Sequence, residues 1–321
     1  MKRFLIIIIF FIVVLFVLPI VVFYLNSHKK NTINGDLSKQ LQMSEEISVY
    51  FHNEDKVKKL PLDEYLFGVV SAEMPASFEY EALKAQSVAA RSYALYKAKE
   101  KSQAHPTASV CTDSSHCKAY KTKDELLALW KENSEQFKAK IQNAVLETSG
   151  EVIKYNGDVA MAVFHSQAGG GRTESSEDVW GGSIPYLVSV ESHGEEDAPG
   201  FYTKKEISFS QFKEIMKENF PSIKIESPSD IGAIEVSQGG SVKNIVIGGV
   251  GVKGKDLRRI FNLRSSCFKL SCENERAVFE VMGYGHGVGM SQYGANTLAK
   301  EGYNYKDILT HYYSGTVVEA V

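Results

Sequence analysis

The chain has 321 residues, of which 44% are hydrophobic and 23% are charged, and its formal net charge is −3 at neutral pH. With 25 glycines and 8 prolines, this composition excludes a collagen-like protein and a broadly disordered one. Of the 36 basic residues, 34 lie beyond Lys2 and Arg3, and they face 39 acidic residues. Because acidic residues are in excess and no long basic block occurs, we expect no nucleic acid partner.

Residues 4–25 form an almost uninterrupted apolar run. As a helix, this run would rise about 33 Å, which is enough to cross the hydrocarbon core of a bilayer. A cleavable signal peptide has a shorter apolar region followed by small residues, and Phe23, Tyr24 and Leu25 do not fit that pattern. We therefore expect an uncleaved transmembrane anchor at 4–25. The expected topology is a single-pass protein of the cell membrane, with residues 1–3 in the cytoplasm and the C-terminal bulk outside.

The first half of the chain beyond the anchor mixes one strand, two helices and a hairpin. Polar, aperiodic residues 26–45 predict a linker, and a folded domain is expected over 46–321. A strand is predicted at 47–51 and a helix over 78–101, where alanines and tyrosines recur every three or four residues. Thr122 and Glu125 match a capping box, which predicts a second helix from Thr122 to about 146. Asn156-Gly157 between two apolar stretches predicts a β-hairpin.

The second half continues with short elements. Helices are predicted at 208–220, 255–261 and 292–300, and strands at 233–237, 242–247 and 276–282. The regular βαβ alternation of a parallel sheet is missing from this pattern. The predicted fold class is therefore α+β, a mixed domain of helices and antiparallel sheets outside the membrane, with a central cleft lined by the motifs described next.

The first motif is Ser71-Ala-Glu-Met-Pro75, which is predicted to be a loop ahead of the helix at 78–101. A glutamate between small and apolar neighbours can serve as a proton donor in catalysis. Lys84, Ser87 and Arg91 have the spacing of one helix face, which we expect to line the same cleft. The alternative is that Glu73 is a structural residue paired with Lys84 or Arg91.

The second motif brings two thiols and two imidazoles into 13 residues: His105, Cys111, His116 and Cys117. This donor set matches the tetrahedral preference of zinc, although the spacing is unlike that of a zinc finger. The alternative is a disulfide between Cys111 and Cys117 with two uninvolved histidines. Four protein ligands would fill the coordination sphere, so a bound ion would be structural. Cys267 and Cys272 have no histidine nearby and are left as either a disulfide or two thiols.

Two glycine-rich stretches follow. Within 164–174, a predicted strand ends in His165, Ser166 and three glycines, whose backbone amides can approach a ligand closely. Trp180, a little further on, offers a stacking face for a sugar. Residues 283–295 hold five glycines around His286 ahead of a predicted helix, which suits an anionic or polyhydroxyl ligand. The alternative for the first stretch is a tight turn with His165 packed beneath it.

Together and in this order, the motifs resemble those of the SpoIID/LytB (amidase-enhancer) family. The resemblance rests on residues 71–75, 81–94, 165–174, 177–180 and 285–292, and it covers most of 45–320. It implies a lytic transglycosylase that cuts peptidoglycan glycan strands between N-acetylmuramic acid and N-acetylglucosamine. Such an enzyme forms 1,6-anhydro-N-acetylmuramic acid and, in this family, prefers strands without stem peptides. The resemblance also implies that Glu73 is the catalytic residue.

The resemblance has further implications for partners, metal and substrate contacts. Sporulating members degrade the septal wall during engulfment, from the mother-cell membrane, beside the amidase SpoIIP and the membrane protein SpoIIM. Relatives of the clostridial type are similar in the Cys-His loop and bind zinc there, which implies a structural Zn²⁺ at the second motif. The residues expected to bind substrate in the cleft are Lys84, Arg91, His165, Ser166, Thr173, His286, Ser291 and Gln292.

One carboxylate is enough for this reaction. Glycosidases that use water need two carboxyl groups, whereas a lytic transglycosylase uses the C6 hydroxyl of the sugar itself as nucleophile. Glu73 is therefore expected to act first as acid and then as base. Two rival functions are a non-catalytic amidase enhancer or peptidoglycan-binding scaffold for SpoIIP, and a zinc hydrolase, which would need an open coordination position.

Overall fold

The computed structural model describes residues 44–100 and 105–321. The predictions for 1–3, for the anchor at 4–25 and for the linker up to residue 43 lie outside these ranges. Within them, no helix combines the length and the apolar character needed to cross a membrane. The described residues mix helices with mainly antiparallel sheets, which confirms the predicted α+β class.

The described elements are numbered in chain order. The helices are α1 Leu62–Glu73, α2 Tyr80–Lys99, α3 Lys123–Trp130, α4 Ser134–Glu147, α5 Ser176–Trp180, α6 Phe209–Asn219, α7 Gly254–Ile260, α8 Gln292–Lys300 and α9 Tyr305–Tyr312. The strands are β1 Glu46–Phe51, β2 Lys56–Pro61, β3 Val110–Cys111, β4 Glu151–Tyr155, β5 Asp158–Val159, β6 Phe164–His165, β7 Tyr202–Ser208, β8 Ile231–Val236, β9 Val242–Ile247, β10 Val250–Lys253, β11 Phe268–Glu273, β12 Arg276–Met282, β13 Met290–Ser291 and β14 Val317–Ala320. Their sheet orders are β2–β1–β3, β14–β4–β5, β13–β6, β11–β12–β7 and β10–β9–β8.

The larger of two hydrophobic cores surrounds α2. Helices α1, α4, α8 and α9 and strand β4 all pack on this helix. Its alanines favour the helical conformation and also let the neighbours approach closely. Because α2 is enclosed in this way, four of its residues are completely buried: Ala82, Ala85, Ala89 and the charged residue Arg91.

The smaller core is built by β9 to β12 together with α6 and α7. Phe212, Phe261 and Phe279 lie at its centre, and the ring centroids of Phe261 and Phe279 are 4.9 Å apart. Ser208 starts α6 as predicted, since its side chain accepts a hydrogen bond from the amide of Gln211 in a capping box. This core gives the chain a second lobe beside the larger one.

Several predicted elements are confirmed with close bounds. The hairpin between β4 and β5 turns at Asn156 and Gly157, which both have positive φ, as a type I′ turn requires. The helix predicted from Thr122 to about 146 is instead two helices. Lys131 has a φ of 49°, and a 3₁₀ turn at Lys131–Asn133 separates α3 from α4.

A short parallel pairing joins the two glycine-rich stretches. In β6 and β13, His165 lies opposite Ser291. Gly289 precedes β13 with a φ of 73°, and a Cβ on it would come within 2.1 Å of the carbonyl oxygen of Val163. Glycine is therefore required for the close approach of the two backbones. The pairing places side chains from distant parts of the sequence at one edge of the larger lobe.

Candidate active site

The sequence predicts a loop at Glu73, and this prediction is wrong. Glu73 is the last residue of α1. The helix ends here because Met74 adopts an extended conformation and Pro75 follows it. Helix α1 was missed because most of its residues, nine of twelve, are buried on all sides, so its sequence lacks a clear apolar stripe. The carboxylate is consequently held at the rigid end of a buried helix.

Two neighbours bind the carboxylate of Glu73. The amide N–H of Ala119 donates a 2.9 Å hydrogen bond to Oε1. The side-chain amide of Gln292, the first residue of α8, lies 3.5 Å from Oε2 and 3.4 Å from Oε1 of Gln86. Oε1 is thus fixed by the backbone, whereas Oε2 has only a long contact to Gln292.

Glu73 lies between two cavities and lines both of them. A proximal cavity of about 360 Å³ runs from Glu73 past Pro75 and Trp130 to Arg264. A middle cavity of about 700 Å³ runs from Glu73 past Lys118 and the Cys-His loop to Trp180. A distal cavity of about 290 Å³ continues beyond Trp180, and it shares Trp180, Arg258 and His286 with the middle one. The three form a continuous groove along the border of the two lobes.

Four of the predicted substrate residues line this groove. Ser166 and Gln292 contact both cavities beside Glu73, and His165 and His286 line the middle cavity. The ring centroid of His286 lies 5.7 Å from that of His165 and 5.5 Å from that of Trp180. These aromatic groups form one wall of the middle cavity, suited to the apolar face of a sugar ring.

Both histidines of this wall are neutral. Burial lowers the pKa of His165 to about 4, and burial also holds the pKa of His286 well below its ordinary range. Nδ1 of His165 lies 3.2 Å from the carbonyl oxygen of Val288, so this nitrogen carries the proton and donates it. His165 and His286 therefore offer hydrogen bonds and packing surface to a ligand without adding positive charge.

Arg91 does not line the groove, and its predicted role in substrate binding is wrong. Its guanidinium is completely buried and forms a 3.0 Å ion pair with Asp63. It also donates hydrogen bonds to the carbonyl oxygens of Val145 and Thr148. Arg91 thus ties α1, α2 and α4 together, and no ligand in the groove can reach it.

Lys84, Thr173 and Ser291 were also predicted to bind substrate, and the structure places each elsewhere. Lys84 pairs with Glu81 at 2.6 Å, and its ammonium lies 4.7 Å from the centroid of the Tyr305 ring. Thr173 is completely buried, where its hydroxyl bonds the backbone at Val188 and Val190. Ser291 caps α8 and is completely buried as well. All three are structural residues.

Lys118 and Arg258 were not found from the sequence, although both line the middle cavity. Lys118 is only 9% exposed, and its ammonium lies 3.6 Å from the centroid of the Phe164 ring. Burial lowers the pKa of Lys118 to about 8, and the negative charge of Glu73 acts in the opposite direction. Arg258 lies on α7 in the smaller lobe. Lys118 directly follows Cys117 of the second motif and Arg258 lies in no predicted motif, so only the fold could show that they line one cavity.

Glu195 is a buried carboxyl group beside the groove residues that the sequence did not reveal. Its Oε2 accepts hydrogen bonds from the Ser291 hydroxyl and the Ala168 amide, at 2.7 and 2.9 Å. Its Oε1 accepts one from Ser192 at 2.6 Å. Burial raises the pKa of Glu195 to about 7. This carboxyl group connects the loop after β6 to the start of α8, and so holds Ser166 near Gln292.

The four predicted metal ligands lie together in the structure. The donor atoms of His105, Cys111, His116 and Cys117 all lie within 4.8 Å of one another. Nδ1 of His116 is 3.1 Å from Nε2 of His105 and 3.4 and 3.5 Å from the sulfurs of Cys111 and Cys117. Ligands bound tetrahedrally to zinc are about 3.4–3.6 Å apart for nitrogen and sulfur donors. The donor set therefore fits a zinc ion with all four positions filled.

The cysteines are free thiols in the described chain. Cys111 and Cys117 thus form no disulfide in the structure. Cys267 immediately precedes β11, and Cys272 lies near its other end. Five residues along a strand separate the two by about 16 Å, which is too far for a disulfide.

Comparison with known proteins decides the family. A family profile described as "Stage II sporulation protein" matches residues 50–155. Stage II sporulation protein D of Bacillus subtilis (strain 168) is 37% identical over 274 residues, which cover 85% of this chain and 78% of the relative. The chain belongs to the SpoIID family. The namesake from Bacillus amyloliquefaciens is 35% identical, with 84% of this chain and 77% of that protein covered.

Membership of the SpoIID family confirms the resemblance seen in the sequence. A further relative is the "Amidase enhancer" of Bacillus subtilis (strain 168), which is 29% identical over 79% of this chain and 40% of its own length. The family profile includes Glu73 and the Cys-His loop. The glycine-rich stretches and the smaller lobe lie beyond it.

Proposed function

We propose that this SpoIID family member is a lytic transglycosylase that cuts peptidoglycan glycan strands between N-acetylmuramic acid and N-acetylglucosamine. The observation that carries the proposal is the isolation of Glu73. Among the described residues, it is the only Asp or Glu that lines the proximal or the middle cavity. A glycosidase that activates water needs a second carboxyl group within about 10 Å across the scissile bond. With one carboxylate, the nucleophile must come from the substrate.

The shape of the groove supports a linear polymer as substrate. The proximal cavity and the distal cavity each adjoin the middle one, so a glycan strand can occupy positions on both sides of Glu73. Trp180 is 42% exposed at the boundary between the middle and distal cavities, where an aromatic face can stack on a sugar. A single sugar would fill only part of this groove.

The proposed mechanism has two steps at one side chain. Glu73 first gives a proton to the glycosidic oxygen as the bond to N-acetylglucosamine breaks. The C6 hydroxyl of the muramic acid then attacks the anomeric carbon, and its proton returns to Glu73. The Ala119 amide fixes Oε1, so Oε2 carries the proton in this scheme. Gln292 can keep its contact with Glu73 while that residue loses and regains its proton. Its side-chain amide donates to a carboxylate oxygen of Glu73 and stays bonded to Gln86.

The Cys-His cluster is proposed to hold one structural Zn²⁺. His105, Cys111, His116 and Cys117 would saturate the ion, which leaves no position for a catalytic water. Ala119, which bonds Glu73, lies only two residues after Cys117. We infer that the ion would fix the backbone that orients the catalytic carboxylate, and that a zinc hydrolase is not favoured.

The biological setting is also a proposal. The process proposed for this chain is septal wall degradation during engulfment, and the names of the relatives support a role in sporulation. SpoIIP and SpoIIM are the proposed partners, and residues 4–25 the proposed single-pass anchor, with residues 46–321 as the domain outside the cytoplasm. The alternative function is a non-catalytic amidase enhancer or scaffold for SpoIIP, which the name of the third relative favours.

Product analysis distinguishes these functions. Full-length chain in detergent is incubated with peptide-free glycan strands, and the products are identified by mass spectrometry. Anhydro ends are expected from the wild type and from Glu64→Gln, a matched control on the same helix, and none from Glu73→Gln. Reducing ends would indicate a hydrolase, and intact strands a scaffold. Either result would contradict the proposal.

A further inference from the structure

One exposed aromatic residue lies just outside the groove. Among the described Phe, Tyr and Trp residues, four are exposed: Trp180, Tyr202, Tyr284 and Tyr303. Trp180 lines the middle and distal cavities, and Tyr284 lines the middle and proximal ones. Tyr202 is 63% exposed and lies at the start of the edge strand β7. Tyrosine rings, with an apolar face and a polar tip, are enriched at binding surfaces, and the groove does not account for Tyr202.

Tyr202 lines a fourth cavity, of about 340 Å³, on the sheet β11–β12–β7. This outer cavity lies on the exposed face of the sheet, since the other face packs in the smaller core. Tyr202 lies opposite Met282, where β7 begins and β12 ends. In the next row across the three strands, Glu280 lies between Lys204 and Lys269. The outer cavity therefore combines an aromatic ring with hydrogen-bond donors and an acceptor.

Two short chain segments connect the outer cavity to the proximal end of the groove. Pro199 lines the proximal cavity and Tyr202 the outer one, and three residue steps span at most about 11 Å. On the other segment, Tyr284 lines the proximal cavity and Met282, two residues earlier, lines the outer one. A polymer that leaves the groove past Tyr284 therefore meets Tyr202 next.

The rings of the two tyrosines are held in place before any ligand binds. The amide of Gly283 donates a 2.8 Å hydrogen bond to the carbonyl oxygen of Phe201, which joins the two segments. The ring of Phe201 packs edge to face on that of Tyr202, with centroids 4.8 Å apart. The guanidinium of Arg264 lies 3.9 Å from the centroid of the Tyr284 ring. Rings that are ordered in advance lose little conformational entropy when a ligand stacks on them.

The chemistry of the outer cavity fits the sugar units of a glycan strand. A tyrosine ring packs on the apolar face of a sugar, and the row of charged groups can bond its hydroxyl and acetamido groups. Charges of both signs are present, and Lys204 is already paired with Glu206 at 2.6 Å, so a strongly charged ligand is not favoured. We propose that the outer cavity is a second binding site for the glycan strand, outside the catalytic groove, and that it holds long strands.

This inference rests on the proposed function, because the glycan strand is the ligand in both. A strand that occupies the groove brings its own continuation to the outer cavity at a high effective concentration. Long strands therefore gain affinity from both sites, whereas short ones reach the groove alone. The outer cavity contains no part of the proposed catalytic machinery, so its loss changes the binding of long strands and not the cleavage of short ones.

Binding measured as a function of strand length tests the outer site. Full-length Glu73→Gln protein in detergent is titrated by calorimetry with peptide-free oligosaccharides of increasing length. We expect the affinity to rise in two stages, first as the strand fills the groove and again when it reaches Tyr202. Adding Tyr202→Ala should abolish the second stage, so that long strands bind about tenfold more weakly while short ones bind as before.

Matched variants separate the site from a general effect of losing an exposed ring. Tyr303→Ala removes a tyrosine that is 49% exposed between α8 and α9, and it should keep both stages. Tyr202→Phe retains the ring face and should keep both as well. Lys269→Ala should weaken the second stage alone. All four variants should melt at the temperature of the parent protein, because these side chains lie at the surface.

The outcomes for the outer site and for the proposed function are distinct. A single-stage rise in the parent, or equal affinity of the parent and Tyr202→Ala for long strands, would overturn the inference and leave this face of the sheet to another partner. Two stages in a chain whose wild type forms no anhydro ends would contradict the proposed lytic activity and support the outer site. Anhydro ends from the wild type together with a single stage would support the activity and overturn the site.

Discussion

The amide of Ala119 donates a 2.9 Å hydrogen bond to the carboxylate of Glu73, and Ala119 lies two residues after Cys117, a proposed zinc ligand. The ring of Tyr120 lies against α1 at Gly68, where a Cβ would come within 2.3 Å of the ring. The Cys-His loop is therefore packed directly on the helix that ends in Glu73. The proposed metal site and the proposed catalytic carboxylate are two ends of one short structural connection.

This connection predicts that Cys117→Ser impairs both metal binding and catalysis. Loss of one thiolate should release the zinc, and the free energy of metal binding would no longer stabilise the loop. We expect less than one zinc per chain by elemental analysis, a melting temperature several degrees lower and a large loss of anhydro products. Cys272→Ser, on β11 outside the cluster, is the matched control and should keep all three properties. Activity lost on chelation with an unchanged melting temperature would instead support a zinc hydrolase.

The buried ion pair of Arg91 and Asp63 predicts a stability defect without a change in substrate binding. Arg91→Met leaves the Asp63 carboxylate buried and unpaired, which costs about 3–5 kcal/mol. The free energy of unfolding, measured with urea, should fall by this amount, and KM of the protein that remains folded should not change. Lys99→Met, near the exposed end of the same helix, should cost less than about 1 kcal/mol. A raised KM with normal stability would restore the role in substrate binding that we have excluded.

Glu195 predicts a specific pH dependence of stability. Burial raises its pKa to about 7, so the folded protein keeps a proton that the unfolded chain releases above about pH 4.3. The folded state is therefore destabilised as the pH rises from about 4.3 to 7, by about 3 kcal/mol in total. Glu195→Gln should remove this decline, measured as the free energy of unfolding at pH 5 and pH 7.5. Glu196→Gln, the exposed neighbour, should retain it, and identical pH profiles for the two variants would be inconsistent with a buried proton at Glu195.

The sequence predicted much of the fold, because most of its signals are local. The capping box at Thr122, the turn at Asn156-Gly157 and the strand Arg276–Met282 depend on neighbours within a few residues, and all are confirmed. Helix α1 was missed because it is enclosed by the core and lacks amphipathic periodicity.

The site was predicted only in part, for a similar reason. Helical spacing correctly put Arg91 on one face of α2, but it could not show that α4 and Asp63 cover that face. Lys118 and Arg258 are 140 positions apart and meet only through the fold. The Cys-His cluster was predicted from its residue types, whereas the catalytic role of Glu73 was predicted from the resemblance to the family.

The central claim is that Glu73 acts alone and that the C6 hydroxyl of the sugar, not water, is the nucleophile. Cleavage of peptide-free strands by the full-length chain in H₂¹⁸O tests it directly. The account predicts 1,6-anhydro ends that carry no ¹⁸O. New reducing ends labelled with ¹⁸O at the anomeric carbon would contradict it, since they require a water molecule activated by a second group, and among the described residues no other carboxylate lines the proximal or the middle cavity.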